Sequence, residues 1–415
     1  MIELKADIVV VGGGPAGLAA ALQARRSGAE KVMIIERDQE LGGILQQCIH
    51  DGFGIHRFGK RLSGTQYAQS FIDEVAETDI EVKLDTMVLE ITPDKLLYAC
   101  NKKDGMLKIQ AGAIILTMGC RERTASQVFI YGDRPTGVLT AGSVQRYINM
   151  EGYLPGKRAV ILGSGDIGLI MARRMTLEGI SVEGVYEVME NPGGLTRNIV
   201  QCLDDFDIPM HLATTVTQVH GRKRVEAVTV AKVGPDRKPI PGTERTIECD
   251  LLVLAVGLIP ENELSRSAGI ELDPRTKGPV LDNSFMTSVP GIFAAGNVAV
   301  VFDLVDYVSR SGEIAAQSAV EYLKGTLPLD GPTHKVTCGE NVNFAVPQLI
   351  RENGRPGTFF LRVKTPRKTA KLCCTAGEEE LYKKTCRFVA PPEMLTLDLK
   401  ECGGRDIEIS VKEVQ

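Results

Sequence analysis

Two glycine-rich turns of the same design, one near the beginning of the chain and one in its middle, constrain the fold more than any other feature. The stretch VVVGGGPAGL carries the pattern G-x-G-x-x-G from residue 12, and VILGSGDIGL carries it from residue 163. Each follows a strand-like apolar run and leads into a helix-like segment. In such turns the first glycine makes the tight turn, the second lets a pyrophosphate approach the backbone, and the third lets helix and strand pack closely. The chain is therefore predicted to contain two dinucleotide-binding folds.

The repeat extends beyond the glycines. Glu36 follows Gly12 by 24 residues, Glu187 follows Gly163 by the same number, and each glutamate ends a second strand-like run. Six residues after each glutamate a Gly-Gly pair begins. A carboxylate at this place accepts hydrogen bonds from a ribose diol. One isolated glycine motif is weak evidence, whereas two complete units with equal spacing indicate two sites.

The composition is that of a globular protein without an extreme charge. Of the 415 residues 43% are hydrophobic and 24% are charged, with a net charge of -5, so no nucleic-acid partner is indicated. No apolar run reaches the ~18 residues of a membrane span, and no signal peptide precedes the first strand, so we expect a cytoplasmic protein. The ten cysteines form neither a C-x-x-C pair nor a zinc spacing, and we expect no metal site.

Further motifs carry a resemblance to a known superfamily. AIILTMG and LLVLAVG are buried-looking strands that end in glycine, and TSVPGIFAAGN, from Thr287 to Asn297, lies downstream. Together with the N-terminal turn they resemble the two-dinucleotide-binding-domain flavoproteins, the superfamily of thioredoxin and glutathione reductases, over residues 1 to about 330. Two facing folds of this kind are expected to hold FAD and a nicotinamide cofactor, because a flavin accepts a hydride and releases electrons singly or as another hydride.

The resemblance implies an α/β fold with two Rossmann-like domains of the three-layer ββα type. The expected boundaries are 1–122 and 257–330 for a discontinuous FAD domain, 123–256 for an inserted NAD(H) domain, and 331–415 for a small β-rich domain. The expected FAD contacts are Gly12, Gly14, Pro15, Ala16, Gly17, Glu36, Arg37, Gly42, Gly43, Val88, Thr117, Gly119, Gly296, Asn297 and Gly312. The expected NAD(H) contacts are Gly163, Gly165, Asp166, Ile167, Gly168, Glu187 and Gly257.

Three of these positions carry specific expectations. Asn297 stands where the family usually has an acid, and its amide can still hydrogen-bond a ribityl hydroxyl. The helix-like segment SGEIAAQSAVEYL is expected to begin near Gly312 and to point its positive dipole end at the flavin pyrimidine, which would stabilise an anionic reduced flavin. Glu187 favours NADH over NADPH, since a carboxylate accepts the ribose diol and repels a 2′-phosphate, and the nearest basic residue downstream is Arg197.

The loop after the first Gly-Gly pair, ILQQCIHDGFGIH, is chemically the most unusual stretch. Thioredoxin reductases carry a C-x-x-C in the nucleotide-binding insert, and glutathione reductases carry a cysteine pair after the first Gly-Gly. This loop has only Cys48, and the segment GVLTAGSVQ has no cysteine, so disulfide reduction is not expected. His50 is the candidate proton relay to the flavin, because imidazole titrates near neutral pH, and a loop histidine bonded to backbone is the alternative. Cys48 is either a charge-transfer contact or a buried inert thiol.

A narrower resemblance concerns partners. QCIHDGFGIH, PTGVLTAGSVQ and DLVDYVSRSGEIAA are similar to FAD/NAD-dependent oxidoreductases found alongside a glycerol-3-phosphate dehydrogenase-type flavoprotein and a small cysteine-rich protein. More distantly they resemble the larger subunits of opine oxidase and hydrogen cyanide synthase. This implies hydride exchange between NAD(H) and FAD, and electron transfer with a second redox protein, a flavoprotein dehydrogenase or an iron–sulfur subunit, in a homo- or hetero-oligomer. The alternatives are a stand-alone NADH oxidase or NADH:quinone or disulfide reductase, and an NADH-sensing interaction flavoprotein.

The last eighty residues change in pattern from about Pro332. The short alternating runs GTFFLRVKT, AKLCCTA, KKTCRFVA, LTLDLKEC and DIEISVKEV indicate an antiparallel β-domain. Cysteines at 338, 373, 374, 386 and 402 fit no iron–sulfur spacing. The run RVKTPRKTAK holds five basic residues in ten, and is either a solvated strand face or a docking patch for an acidic electron carrier.

Overall fold

The computed structural model describes residues 1–352, 355–401 and 404–414, so Cys402 lies outside the described residues. The chain divides into two compact units. Unit 1 comprises Met1–Cys120 and Pro260–Gln415, and unit 2 comprises the intervening Arg121–Ile259. Unit 2 is thus inserted in the sequence of unit 1.

Unit 1 is built on a seven-stranded sheet. Its first strand, Ile2–Val11, is fully buried over its last four residues because it lies in the middle of the sheet, parallel to a neighbour on each side. The sheet continues on one side into an antiparallel meander. The strand order is Glu81–Lys83, Val32–Ile35, Ile2–Val11, Gly105–Leu116, Leu96–Asn101 and Met87–Ile91, with Ile292–Ala294 also paired to Gly105–Leu116.

Two helices of unit 1 pack tightly on each other. The first cradle helix, Pro15–Arg26, is rich in buried alanine, and the long helix, Val305–Leu323, buries Gly312, Ala315, Ala316 and Ala319. Small residues on both helices allow their backbones to approach. The other helices of unit 1 are Ile55–Phe58, Gly64–Ala76 and Glu263–Ser267, with 3-10 turns at Gly43–Gln47 and Gly296–Val298, and the strands Asp51–Phe53 and Leu62–Ser63 form a hairpin.

In its described residues, the C-terminal part of unit 1 has only β-strands as regular structure, as the alternating runs predicted, although Thr333–Cys338 pairs with Ile407–Glu413 in parallel and not antiparallel. Its strands form a five-stranded and a three-stranded sheet around a hydrophobic cluster of their own. It is joined to the rest of unit 1 by the ring of Phe360, which lies 5.0 Å from that of Phe302, and by an ion pair between Arg351 and the buried Asp282. The strands are Thr333–Cys338, Val342–Val346, Leu349–Arg351, Gly357–Val363, Ala370–Ala376, Glu379–Cys386, Leu395–Leu399 and Ile407–Glu413.

Unit 2 contains the second fold in three layers. The side chains of the strand Arg158–Leu162 alternate between the two faces of the sheet, so they enter two different hydrophobic clusters. Ala159 and Ile161 pack with the helices, and Val160 and Leu162 pack with a second sheet.

The parallel sheet has the order Val138–Thr140, Leu251–Leu254, Arg158–Leu162, Ser181–Tyr186 and Met210–His211. The second sheet has the order Tyr131–Gly132, Thr214–His220, Ala227–Lys232 and Arg245–Glu248. The helices are Ala141–Asn149, Asp166–Leu177 (the second cradle helix) and Thr196–Cys202, with 3-10 turns at Ala125–Val128 and Asp204–Phe206. Two short strands, Cys120–Glu122 and Leu258–Pro260, stand at the unit boundaries in the sequence.

The predicted fold class is confirmed, with two Rossmann-like folds of strand, glycine turn, helix and strand. One element was predicted wrongly. The long helix begins at Val305 and not near Gly312, because Leu304, with extended backbone, is its N-cap residue, and the polar segment before Gly312 is already helical. No helix within the described ranges is both long and apolar enough to cross a membrane.

Candidate dinucleotide sites

The first glycine turn connects the first strand of unit 1 to the first cradle helix. Gly12 has a φ of 109°, and a Cβ there would lie 2.6 Å from the carbonyl oxygen of Thr117. A Cβ on Gly17 would lie 1.9 Å from the carbonyl oxygen of Gly12. Gly14, by contrast, has nothing within 4 Å of its Cβ position. Gly12 and Gly17 are therefore required by packing, whereas Gly14 borders open space.

The N-terminus of the first cradle helix faces this open space without a side-chain cap. Gly14 is the N-cap residue, and Pro15 is the first helical residue, where its missing N–H costs nothing. No acidic side chain stands in the first turn. The backbone N–H groups and the positive dipole end are thus left for an anion, which is the arrangement that binds a diphosphate.

Glu36 ties the glycine turn to the end of the second strand. Its carboxylate is 6% exposed, and its Oε2 accepts the backbone N–H of Gly13 at 2.6 Å while Oε1 accepts that of Asp38 at 2.8 Å. Each carboxylate oxygen keeps acceptor capacity for a hydroxyl. The next residue, Arg37, is exposed.

The first Gly-Gly pair closes over the glycine turn. Gly42 donates its N–H to the carbonyl oxygen of Gly13 at 2.8 Å, and a Cβ on Gly43 would lie 3.1 Å from the Cα of Gly14. Both glycines have positive φ, which disfavours any other residue. Their fixed offset from Glu36 is therefore the length of chain needed to return from the strand end to the turn.

Thr117 and Gly119 follow the strand Gly105–Leu116 on the other side of the turn. The Thr117 hydroxyl donates to the carbonyl oxygen of Val11 or Gly12, each at 2.9 Å, and the side chain is buried, so it braces the turn. Gly119 has a φ of 73° and open space at its Cβ position. Val88 places its side chain in the hydrophobic core of unit 1.

The long helix is in register with the first cradle helix. A Cβ on Gly312 would lie 2.3 Å from the carbonyl oxygen of Ala16, and the Lys324 ammonium donates to the carbonyl oxygen of Ser27 at 2.8 Å, so the two helices run parallel. Gly312 is thus a packing residue and not a helix start. Since Val305 precedes Gly312 by seven residues, the long helix extends about 10 Å further than the level of Ala16 in the N-terminal direction.

The segment before the long helix also reaches the first cradle helix. A Cβ on Gly296 would lie 2.7 Å from that of Ala16, and Gly296 has a φ of 69°. The neighbouring Asn297 is half-buried, with Oδ1 accepting the N–H of Phe302 at 3.0 Å and Nδ2 donating to the sulfur of Cys120 at 3.5 Å. The amide is therefore oriented by its own chain and keeps one N–H for a ligand.

The two candidate catalytic side chains lie in the loop after Gly43. Burial raises the pKa of the Cys48 thiol to about 12, and the thiol donates to the carbonyl oxygen of Ile44 at 3.3 Å. At neutral pH the residue is therefore protonated, whereas a charge-transfer donor is a thiolate. His50 is half-buried with its ring 5.1 Å from that of Phe53, and His56 is exposed and stacked on Tyr307.

The second glycine turn, in unit 2, repeats the glycine packing of the first, although its helix begins with the acidic residue Asp166. Gly163 has a φ of 100° and a Cβ position 2.1 Å from the carbonyl oxygen of Ala255, which takes the place of Thr117. A Cβ on Gly168 would lie 2.6 Å from the carbonyl oxygen of Gly163. Gly165 is the uncapped N-cap residue of the second cradle helix, and its Cβ position has no neighbour closer than 4.0 Å. The packing glycines and the glycine beside open space thus occupy corresponding places in both turns.

Glu187 makes the same connection as Glu36, with one addition. Its carboxylate is 7% exposed and accepts the N–H groups of Ser164 and Met189, each at 2.9 Å. The Ser164 hydroxyl donates a third hydrogen bond to Oε2 at 2.6 Å. Ser164 was not among the predicted residues, and the signal that could have found it is the comparison of the two turns, which places Gly13 at the corresponding position.

The remaining predicted residues of unit 2 have local roles. Asp166, the first residue of the second cradle helix, accepts the N–H of Leu195 at 2.9 Å and the side-chain amide of Asn198 at 2.6 Å, and so holds the second Gly-Gly loop. Ile167 is half-buried against the helical core. Gly257 has a φ of 101°, and Arg197 is exposed.

The described cysteines form neither a disulfide nor, with histidine or acidic residues of the described ranges, a metal-binding group. Cys373 and Cys374 are buried on the strand Ala370–Ala376. In the basic run, Arg367 pairs with Glu340 at 2.8 Å and Arg362 donates to the carbonyl oxygen of Val301. These two guanidinium groups are engaged within the chain, and the exposed ones of the five are Lys364 and Lys368.

Both turns fit the diphosphate of a dinucleotide, because each offers an uncapped helix N-terminus beside a glycine with an unfilled Cβ position. The family model described as pyridine nucleotide-disulphide oxidoreductase matches residues 6–319. Among solved structures, the chain resembles T. acidophilum thioredoxin reductase, with 26% identity and a TM-score of 0.61, over 76% of this chain and 98% of that one.

Two curated relatives are subunits of larger enzymes. An opine oxidase subunit from Agrobacterium tumefaciens (strain Ach5) is 25% identical over 338 residues, which is 77% of this chain and 66% of that protein. Hydrogen cyanide synthase subunit HcnB of Pseudomonas protegens is 27% identical over 282 residues, which is 63% of this chain and 59% of that protein. The chain thus spans less than two thirds of the length of each.

Proposed function

Because the chain belongs to the pyridine nucleotide-disulphide oxidoreductase family, we propose that FAD binds at the first glycine turn, that NADH binds at the second, and that electrons pass to or from a second redox protein. The chain is an FAD-dependent NAD(P)H oxidoreductase, since members of this family bind both nucleotides. The assignment of each nucleotide to its turn, the preference for NADH and the partner are the proposed parts.

The assignment of FAD to the first turn is supported by the elements that surround it. The first turn lies beside the 3-10 turn Gly296–Val298 and the long helix, which runs about 10 Å beyond it. A dinucleotide with its diphosphate at Gly14 and one ribose at Glu36 has its other half on the side of these elements. Asn297 keeps an N–H on this side, which supports a hydrogen bond to a ribityl hydroxyl.

The observation that carries the nicotinamide preference is the carboxylate of Glu187. It is fixed at the end of the strand Ser181–Tyr186, where a 2′-phosphate would have to approach it. The Glu187 carboxylate and a 2′-phosphate are both negative and would repel each other, whereas the hydroxyl groups of a ribose diol donate hydrogen bonds to the carboxylate. Arg197, the nearest basic residue downstream of Glu187, is exposed on the helix Thr196–Cys202 and not on the second cradle helix.

Bound FAD would supply the redox chemistry, which is two-electron transfer between NADH and an acceptor with the uptake and release of one proton. The chain binds both diphosphates through backbone N–H groups and orients both riboses through Glu36 and Glu187. His50 is proposed to hold and release the accompanying proton. Cys48 stays protonated and takes no part in electron transfer.

A partner is supported by the relatives and by the cysteines. The relatives named above are subunits of an opine oxidase and a hydrogen cyanide synthase. The nine described cysteines include no disulfide that could relay electrons to a small substrate. We propose that the acceptor or donor is a flavoprotein dehydrogenase or an iron–sulfur subunit, and that a glycerol-3-phosphate dehydrogenase-type protein is one candidate.

The test is an anaerobic titration of the FAD-loaded chain with NADH and then with NADPH, followed by flavin absorbance. We expect NADH to bleach the flavin absorbance rapidly and at a lower concentration than NADPH.

The protein with reduced flavin is then mixed with oxygen, with an aromatic disulfide or with ferricyanide as a one-electron acceptor. Fast reoxidation by ferricyanide alone is expected for a subunit that serves a partner, and fast turnover with oxygen or the disulfide would instead favour a stand-alone oxidase or reductase.

A further inference from the structure

The two glycine turns differ at the position occupied by Gly13 in the first and Ser164 in the second, and this difference lies directly on the carboxylate that is proposed to bind the ribose. In the first turn Gly13 contributes only its N–H to Glu36. In the second turn Ser164 contributes both its N–H and its hydroxyl to the Oε2 atom of Glu187. Glu36 is therefore held by two hydrogen bonds and Glu187 by three.

The Ser164 hydroxyl has a defined direction. It accepts the backbone N–H of Gly193 at 2.8 Å, so its own proton is directed to Glu187. One side chain thus connects the glycine turn, the end of the second strand and the second Gly-Gly loop. Ser164 is 0% exposed, so it acts on a nucleotide only through Glu187 and the loop.

In the first turn the side chain of Leu41 occupies the place where a serine side chain would begin. A Cβ on Gly13 would lie 2.5 Å from Cδ2 of Leu41, which stands five residues after Glu36. The residue five positions after Glu187 is Pro192. In the first turn the Gly42 N–H therefore donates to the backbone carbonyl of Gly13. In the second turn the Gly193 N–H donates to the side-chain hydroxyl of Ser164.

We propose that Ser164 is a positioning residue that sets nucleotide selectivity at the second turn, by holding the Glu187 carboxylate where it accepts a ribose hydroxyl and repels a 2′-phosphate. The inference rests on the proposed binding of NADH at this turn. Without the hydroxyl, Oε2 loses a charge-assisted hydrogen bond in a buried place, and the Glu187 carboxylate keeps only two backbone N–H bonds, as Glu36 does. The carboxylate is then less tightly fixed, so NADH binds more weakly and the repulsion of the 2′-phosphate of NADPH decreases.

The test compares Ser164→Ala, Ser164→Thr and the control Ser181→Ala in the FAD-loaded full chain. Ser181 also donates its hydroxyl to a glutamate, Glu183, at 3.0 Å, but on an exposed strand end of the same unit. Calorimetry gives the dissociation constants of NAD⁺ and NADP⁺ for the oxidised protein, and stopped-flow bleaching gives the apparent affinity for NADH separately from the limiting rate. Circular dichroism and the flavin content verify that both units are folded.

In S164A we expect NAD⁺ and NADH to bind about ten-fold more weakly, the size expected for one charge-assisted hydrogen bond. The limiting rate of bleaching should be unchanged, and NADP⁺ should bind no more weakly than to the wild type, so that selectivity falls. S164T, which keeps the hydroxyl, should restore selectivity, and S181A should behave as the wild type.

Equal weakening of both nucleotides in S164A, or no change in either, would overturn the inference while leaving the proposed function intact. Loss of selectivity in S164T with its fold retained would contradict it too, because the hydroxyl would then not be the decisive group. A wild-type protein that retains FAD but binds no nicotinamide nucleotide would overturn both the proposed function and the role of Ser164.

Discussion

Gly312, in the middle of the long helix, lies against the carbonyl oxygen of Ala16 at the start of the first cradle helix, where a Cβ would be 2.3 Å from that oxygen. The contact is between backbones, so neither side can move by changing a side-chain rotamer. It sets the level at which the long helix passes the glycine turn. Because the two helices are parallel, it also determines how far the N-terminus of the long helix extends beyond that turn.

We expect Gly312→Ala to lower the free energy of unfolding by about 2–3 kcal/mol, because overpacking against backbone forces the two helices apart. FAD content should fall with it, since the turn beside Ala16 is displaced. Ser318→Ala is the matched control, because Ser318 is equally buried on the same helix and its hydroxyl only bonds back to the Ile314 carbonyl. Denaturant unfolding of the two variants measures the difference, and equal stabilities would contradict the contact.

Gly14→Ala should weaken FAD binding without lowering the stability of the fold. A Cβ at this position meets nothing within 4 Å, and Gly14 has a φ of −75°, which alanine adopts readily. The free energy of unfolding of the apoprotein should therefore change by less than about 1 kcal/mol. FAD affinity should fall at least about ten-fold, because a methyl group stands where the diphosphate approaches the backbone. Fluorescence of released flavin measures the affinity, and full retention of FAD by the variant would argue against the assigned site.

Gly165→Ala is the corresponding change in the second turn. Its Cβ position has only the Ala255 carbonyl oxygen, at 4.0 Å. We expect unaltered FAD content and a rise of at least about ten-fold in the NADH concentration needed for half-maximal bleaching, because the helix N-terminus is screened from the diphosphate. Loss of FAD with normal NADH affinity would show that the two nucleotides had been assigned to the wrong turns.

Alkaline pH should destabilise unit 2 through its buried thiols. Burial raises the pKa of Cys202 and of Cys249 to about 11 from the ordinary value of 9.0. The protonated thiols therefore contribute their full stability below pH 9, and this contribution is lost as the pH rises from 9 to about 11, because the unfolded chain ionises first. For Cys249, which is 3% exposed, the loss approaches about 1.4 kcal/mol per pH unit within this window.

The Cys249→Ala variant tests this linkage. Its free energy of unfolding should decline less steeply between pH 9 and 11 than that of the wild type, even if it is lower at pH 7 because of the lost side-chain packing. Urea unfolding at several pH values, with reductant present, gives both slopes. Parallel curves for the two proteins would rule out ionisation of this thiol as a cause.

Arg351→Met should weaken the attachment of the C-terminal sheets to the rest of unit 1. Arg351 lies 3.0 Å from the Asp282 carboxylate, which is 3% exposed, and also donates to the carbonyl oxygen of Leu329. Removing one partner of a buried ion pair leaves the other charge unpaired, at a cost of about 3–5 kcal/mol. Limited proteolysis after residue 330 should accelerate, and introducing Asp282→Asn as well should recover part of the stability.

The duplicated fold could be predicted because its signals are local. Equal spacing from Gly12 to Glu36 and from Gly163 to Glu187 reflects the fixed length of a strand, turn, helix and second strand. The Gly-Gly pairs recur at equal offsets since each must close on its own glycine turn, a contact that the structure shows for Gly42 and Gly13.

The start of the long helix could not be predicted, because its N-cap residue is Leu304, which provides no side-chain cap, while cap-favouring residues such as Ser309 and Ser311 lie inside the helix, just before Gly312. Gly312 was therefore mistaken for the start of the helix, although a glycine is needed there because the first cradle helix packs against it. Ser164 was missed for a related reason. Its role depends on Glu187 and Gly193, which are distant in sequence, and only an alignment of the two turns would have shown it.

The bonds that shape the first turn are all made within the chain. The Gly12 N–H is bound by the carbonyl of Ile35, the Gly42 N–H by that of Gly13, and the Gly13 N–H by Glu36. If FAD binds at this turn as proposed, these bonds already hold the loop, and we expect little conformational entropy to be lost on binding. The protein stripped of FAD should therefore accept flavins with an altered ring. A series of such analogues with different reduction potentials would change the driving force for electron transfer, and the dependence of the transfer rate on this driving force would help to identify the physiological redox partner.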